Sequence, residues 1–267
     1  MAINGYKKGQ KDFYIERQRM IDSLRLLSPD VLCIQEYLNL SDTNYFKSNL
    51  TIFTDSLQYP YYYIGDRFSG TKWEGYKTEG VGIFSKYPLF DTVKIPFTEK
   101  KYPEYIITGK VLFKNKPVQI VTTHLQSMYL YIPPKLPGED VSMLDKDSSV
   151  IFSESKLQKM LYFQQYHISQ AKTLNKYLIN TSDPVITTVD MNAVSTSWPY
   201  DKIRGKYGDA FLNGGNGIGK SFQSEIPFLR IDYIFYDDKN LQMDNFQQYP
   251  LSISDHHILI ADFDFKH

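Results

Sequence analysis

Ser28-Pro29-Asp30-Val31-Leu32-Cys33-Ile34-Gln35-Glu36 opens on a helix stop and closes on an acid. Pro29 biases Ser28 away from the helical region, so a helix arriving from upstream ends here. Val31 to Ile34 is a continuous apolar run, the pattern of a short strand buried on both faces. A charge inside such a sandwich is costly unless it is paired, metal-bound or at the strand's end. The stretch therefore predicts one strand of a covered sheet, with Glu36 at its tip. Taken alone, Glu36 is equally a cap for the segment that follows.

Working outward, residues 14–28 read as an amphipathic helix. Ile15, Met20, Ile21, Leu24 and Leu27 fall at helical spacing, while Glu16, Arg17, Arg19 and Arg25 fill the other face. Asp42 is a candidate cap for a second helix over residues 43–58. Strand-like runs follow at 61–64, 81–84, 92–95, 105–113 and 118–123, separated by turn residues such as Lys86-Tyr87-Pro88 and Lys114-Asn115-Lys116-Pro117. Residues 128–153, with Pro133-Pro134 and Pro137-Gly138, read as a long loop or flap. The longest helical pattern covers 154–179, and further strands are expected at 185–189, 230–236 and 258–263. Strands outnumber helices, which predicts an α+β fold with sheets covered by helices.

The chain has 267 residues, with no repeat and no break in composition, so a single domain over 1–267 is expected. Lys+Arg and Asp+Glu are both 30, giving zero formal net charge, which argues against tight binding along a long polyanion but not against turnover of one. The single cysteine, Cys33, excludes an intrachain disulfide and reads as a small buried hydrophobe. No apolar run reaches the roughly 18 residues that would span a bilayer. A monomer is expected.

One pattern stands out. Polar residues cluster at the ends of the apolar runs: Glu36 after 31–34, His124 after Ile120-Val121-Thr122-Thr123, Asp190 and Asn192 after 185–189, and Asp255-His256 before Ile258. Asp232 lies inside its own run, Arg230-Ile231-Asp232-Tyr233-Ile234-Phe235. Each has an ordinary structural reading. His124 could be a satisfied structural histidine, Asp232 a partner of Arg230, and Asp190-x-Asn192 a turn. If the sheet gathers these ends, the carboxylates need a cation or protons to neutralise them, and oxygen-rich donors favour Mg²⁺ or Mn²⁺ over Zn²⁺.

In this order the pieces resemble the endonuclease/exonuclease/phosphatase superfamily, the DNase I-like hydrolases. The matching segments are 28–36, Gly82-Ile83-Phe84-Ser85-Lys86-Tyr87-Pro88, Thr123-His124-Leu125, Val189-Asp190-Met191-Asn192, Arg230-Ile231-Asp232-Tyr233-Ile234 and Ser254-Asp255-His256. Together they cover nearly the whole chain. The resemblance implies a four-layer α/β/β/α sandwich of two packed mixed β-sheets with helices outside. It implies that Glu36 holds a divalent metal with Asp255 nearby, and that Asp190 orients or deprotonates the attacking water. It also implies that Asn192 and His256 contact the phosphate, that Asp232 positions His256, and that His124 acts as general acid or transition-state stabiliser. The implied activity is Mg²⁺- or Mn²⁺-dependent hydrolysis of a phosphoester, a phosphodiester first. The implied substrates are nucleic acid, phospholipid or inositol phosphate. A catalytically weakened binding module on the same fold is the alternative.

The family opens with a complete strand ending in a metal-site asparagine, whereas only Met1-Ala2-Ile3 precedes Asn4 here. The first strand is thus expected to be truncated. Asn4 is either the third metal ligand or a terminal residue without fixed structure. His257 doubles the histidine, and strand alternation is expected to turn it away from the site. Glu79 could hydrogen-bond His124, or be a solvated turn glutamate. Lys7-Lys8 and Lys100-Lys101 as a basic groove, Met128–Pro134 as an apolar flap, and Trp198 as a substrate-site wall are each matched by a plain surface or core reading.

Overall fold

A computed structural model describes residues 10–40, 47–68, 76–98, 104–129, 155–223, 228–251 and 254–266. Helix α1 (Gln10–Leu27) ends as the sequence requires: Ser28 takes a positive φ of 42° before Pro29. Strand β1 (Val31–Leu40) follows, longer than its apolar run. The helix expected over 43–58 is shorter. It comprises α2 (Asn49–Thr51), whose cap is Ser48, and a π-turn over Ile52–Ser56; Asp42 lies outside the described residues. Next come β2 (Tyr61–Phe68), β3 (Tyr76–Ser85), β4 (Phe90–Pro96), β5 (Tyr105–Phe113) and β6 (Lys116–His124). Helix α3 (Lys156–Ile179) is capped by the Ser155 hydroxyl, which accepts from the Gln158 amide. The chain closes with β7 (Val185–Asp190), α4 (Trp198–Arg204), β8 (Gly208–Asp209), α5 (Ala210–Gly214), β9 (Asp232–Tyr236), β10 (Leu241–Pro250) and β11 (His257–Phe265).

Six strands form one mixed sheet in the order β4-β5-β6-β7-β9-β8. Among the described residues, the facing layer comprises a three-stranded ladder, β1-β3-β2, and a two-stranded ladder, β10-β11. Both pack on the same sheet: Val81 and Ile83 of β3 meet Val118 and Ile120 of β6, and Phe246 and Leu259 meet Ile234 of β9. Helix α1 covers the outer face of the three-stranded ladder through Met20, Ile21 and Leu24 against Ile34 and Phe84. Helices α3 and α4 cover the far side of the six-stranded sheet through Leu174, Leu178 and Ile203 against Val121, Val189 and Phe235. The result is the α/β/β/α layering of the DNase I-like fold. No helix among the described residues is long and apolar enough to cross a membrane.

Candidate active site

Register alone brings three of the polar strand ends together. Strands β6 and β7 run parallel with His124 opposite Asp190, and β7 and β9 run antiparallel with Asp190 opposite Asp232. The three side chains therefore begin on neighbouring strands, spaced about 4.8 Å apart, at one end of the sheet.

The other members arrive from outside that sheet. The β1–β3 ladder shifts register between Ile34 and Tyr37, and Glu36 sits at φ 51°, a left-handed conformation uncommon for a residue with a long side chain. Beside it the Gln35 side chain crosses between layers, donating from Nε2 to Thr122 Oγ1 at 2.9 Å and Thr188 Oγ1 at 3.4 Å. This clamp fixes the bulge to β6 and β7. Asn192 follows Asp190 in a turn with φ 50°, and its backbone N–H donates to Asp190 Oδ1 at 3.0 Å. His256 comes from the loop before β11, held by a bridge to Phe222 and by its N–H donating to Ser254 Oγ at 3.0 Å.

At the centre is Asp190 Oδ2. It lies 3.6 Å from His124 Nε2 and 3.7 Å from His256 Nε2, so one buried oxygen faces two imidazoles. His256 Nδ1 donates to Asp232 Oδ2 at 2.9 Å, leaving Nε2 directed into the site. His124 Nε2 is also 3.8 Å from Glu36 Oε1, and Asn192 Nδ2 lies 3.2 Å from it while donating to the Leu125 carbonyl at 3.0 Å. His257 turns the other way, to Gln248 Nε2 at 2.8 Å from its Nδ1.

Glu104 is the member the sequence reading missed. Its Oε1 lies 3.3 Å from His124 Nδ1, and both side chains are buried. Among the described residues, Glu104, which precedes β5, is the carboxylate at His124 Nδ1. The Glu79 side chain lies outside the described residues, as do Asn4, Lys7-Lys8, Lys100-Lys101 and most of 128–153. Trp198 is 44% exposed, at the start of α4, with the Lys172 Nζ 5.9 Å from its ring centroid.

The electrostatics follow from burial and these distances. Desolvation pulls the His124 pKa down, but Glu104 first, then Asp190 and Glu36, outweigh it and raise it to about 9. His256 behaves alike: desolvation is outweighed by Asp190 and Asp232, and its pKa also rises to about 9. The Asp190 carboxyl is raised above the usual range, by desolvation first and then by repulsion from Asp232, with both imidazoles opposing the shift. Asp190, Asp232 and His256 each present a ligand atom within 4.8 Å of the others. Asp255 is half-buried, and its Oδ1 is a buried oxygen with no hydrogen-bond donor among the described residues.

A model of the Endonuclease/Exonuclease/phosphatase family matches residues 9–256. Comparison with curated proteins gave no match. Among solved structures, the human Nocturnin catalytic domain with bound sulfate shares 18% identity with this chain. That alignment covers 95% of this chain and 87% of that one, at a TM-score of 0.64. The D. rerio TDP2 complexed with single-strand DNA product is 14% identical over 93% of this chain and 91% of that one, at a TM-score of 0.62. An endonuclease/exonuclease/phosphatase family protein from Leptotrichia buccalis C-1013-b is 14% identical over 98% of this chain and 96% of that one, at a TM-score of 0.63. At these identities the structural likeness speaks for the fold alone.

Proposed function

Because the chain belongs to the endonuclease/exonuclease/phosphatase family, we propose that it hydrolyses a phosphodiester by direct attack of water, with the assistance of a divalent cation. The observation that carries the reading is the position of Asp190 Oδ2 between His124 Nε2 and His256 Nε2, at 3.6 and 3.7 Å. A carboxylate there accepts the water's proton, and two imidazolium groups beside it face the charge that grows on the phosphoryl oxygens.

Each side chain then has a task. Asp190, ionised, orients and deprotonates water. His256, kept charged and correctly turned by Asp232, donates from Nε2 to a phosphoryl oxygen, as a carboxylate-held imidazole does in other triads. His124, held by Glu104, supplies a second proton on the opposite flank and protonates the leaving oxygen. The Asn192 amide lies beside His124 Nε2 and is placed to bind a phosphoryl oxygen.

The donor set suits a hard divalent cation. Glu36 and Asp255 offer carboxylate oxygens, and the Asp255 Oδ1 is a buried acceptor with no donor among the described residues. These two would hold Mg²⁺ or Mn²⁺, with Asn4, outside the described residues, as a further ligand. When bound, the cation supplies Lewis acidity to the phosphoryl oxygens. The second carboxylate group, Asp190 and Asp232 about His256, is already bridged by its imidazole and is better suited to moving protons.

The substrate class we favour is a nucleic-acid or phospholipid diester. Hydrolysis of DNA, RNA, sphingomyelin and an aryl phosphodiester, each with Mg²⁺ and with Mn²⁺, tests the reading. Turnover of at least one is expected. Cation binding without turnover of any would instead favour a binding module.

A further inference from the structure

Helix α3 turns one stripe of side chains onto the six-stranded sheet. In its second half the stripe is Ala171, Leu174 and Leu178, the apolar residues such a face calls for. Nearer the N-terminus it continues with His167 and Gln170, at 1% and 0% exposure. Burying two polar side chains where leucine would pack is costly unless each finds a partner. Both find the same one. His167 Nε2 donates to the Gln126 carbonyl at 2.6 Å, and Gln170 Oε1 accepts from the Gln126 N–H at 2.9 Å. The helix thus grips both backbone groups of one residue, two positions after His124. Burial pushes the His167 pKa down to about 4, so the ring is neutral and its one proton sits on Nε2, facing the carbonyl.

The grip reaches the site through one planar unit. The Gln126 N–H and the Leu125 C=O belong to the same peptide, so fixing the first aims the second. The Leu125 carbonyl accepts from Asn192 Nδ2 at 3.0 Å, and the Leu125 N–H donates to the Asp190 carbonyl at 2.8 Å. A carbonyl only accepts, so Asn192 must present its NH₂ to it. That choice puts Nδ2 rather than Oδ1 at 3.2 Å from His124 Nε2. Despite its burial, His124 is held protonated at neutral pH by Glu104 and then by Asp190 and Glu36, and so carries a proton on Nε2 as well. Two donors therefore face one space, which suits an anionic oxygen that accepts from both. With the amide reversed, Oδ1 would accept the His124 proton and both donors would be lost to a substrate.

We propose that His167 and Gln170 are positioning residues for the hydrolysis: by clamping Gln126 to α3 they aim the Leu125 carbonyl, which keeps the Asn192 amide turned with its NH₂ towards the substrate oxygen. A purely stabilising role explains the clamp poorly. Gln170 Nε2 and Gln126 Oε1 are left buried without a hydrogen-bond partner among the described residues, and a half-satisfied buried amide costs stability. The arrangement serves orientation at that expense. Its effect on turnover rests on the phosphodiesterase reading; the orientation of the Asn192 amide does not.

A double-mutant cycle on the full chain, with a spectroscopic arm, tests this. The kcat and KM for an aryl phosphodiester with Mn²⁺ are measured for His167→Leu, His167→Gln, Asn192→Ala and the His167→Leu, Asn192→Ala pair. His167→Leu, which removes the donor at similar volume, should lower kcat about tenfold or more. His167→Gln, which restores an N–H donor, should recover most of that loss. In the Asn192→Ala chain, His167→Leu should change kcat by less than about twofold, because the group it acts through is gone. Independently of turnover, the Asn192 side-chain NH₂ is followed by NMR, its signals identified by their loss in Asn192→Ala. Its exchange with solvent should quicken about tenfold or more in His167→Leu and not in His167→Gln. If His167→Leu does not fold, Gln170→Met, which removes the acceptor at the Gln126 N–H, replaces it in each arm. Equal losses of kcat with and without Asn192, or an Asn192 NH₂ whose exchange does not change, would overturn the proposal. An unaltered chain that turns over no phosphodiester would sink the phosphodiesterase reading instead, and the NMR arm would then decide the clamp.

Discussion

Glu104 is the residue on which His124 depends most directly. The 3.3 Å contact between buried groups holds the imidazole in one orientation and keeps its proton. Glu104→Gln keeps the shape and removes the charge. We expect kcat to fall by about 10- to 100-fold, and the alkaline limb of the pH profile to move to lower pH; an unmoved limb would count against the role. Asp232→Asn should cost about a thousandfold in kcat with little change in KM, by turning His256 out of register. In the proposed reaction both imidazoles work protonated and Asp190 works ionised. Activity should thus rise through the acid range as Asp190 loses its proton and fall near pH 9, where His124 and His256 lose theirs. The same histidines govern stability. Their folded values of about 9 lie above the ordinary 6.5, so their contribution is complete below about pH 6.5 and is lost as pH rises through 9. Denaturant midpoints at pH 6, 8 and 10 should fall in that order. Most of these residues were readable as polar tips of apolar runs. Glu104 was not, because it follows Lys100-Lys101-Tyr102-Pro103, a turn-like stretch; only the pairing of Ile106 with Thr123 puts it at the His124 end of the β5–β6 hairpin.

At the scale of elements, the bulge in β1 is what aims Glu36. Gln35 ties that bulge to Thr122 and Thr188 across the layer gap. Gln35→Ala should leave the fold intact and weaken Mn²⁺ binding by about tenfold, read by calorimetry; unchanged affinity would mean that the bulge holds itself. A second element-level feature supports β9. Arg230 donates to Asp209 Oδ2 at 2.7 Å and packs against the rings of Tyr233 and Phe211, with both charges buried. Arg230→Met strands the Asp209 charge and should cost about 3–5 kcal/mol in urea unfolding. The strands that were legible from sequence are those rich in β-branched and aromatic residues between turn signals, such as Val185–Asp190 and Tyr105–Phe113. Strand β10 was not, because Leu241-Gln242-Met243-Asp244-Asn245-Phe246-Gln247-Gln248 carries the amides and acids of a loop; its pairing with β11 overrides that composition. Helix α2 falls short at its start, because Ser48 caps it at Asn49, and it then widens into a π-turn over Ile52–Ser56.

For the whole molecule, the α/β/β/α layering was implied by the order of motifs, which reaches from Ser28 to His256. Zero net charge leaves the substrate to the local surface around Asp190 and His256 rather than to long-range attraction. Cleavage of an aryl phosphodiester with Mn²⁺, by the unaltered chain and by Asp190→Asn at pH 7.5, tests whether Asp190 activates water beside a bound cation. We expect cation-dependent turnover that falls by about a thousandfold or more in the variant while Mn²⁺ still binds. Equal turnover by the two proteins, or turnover that persists in excess chelator, would contradict it.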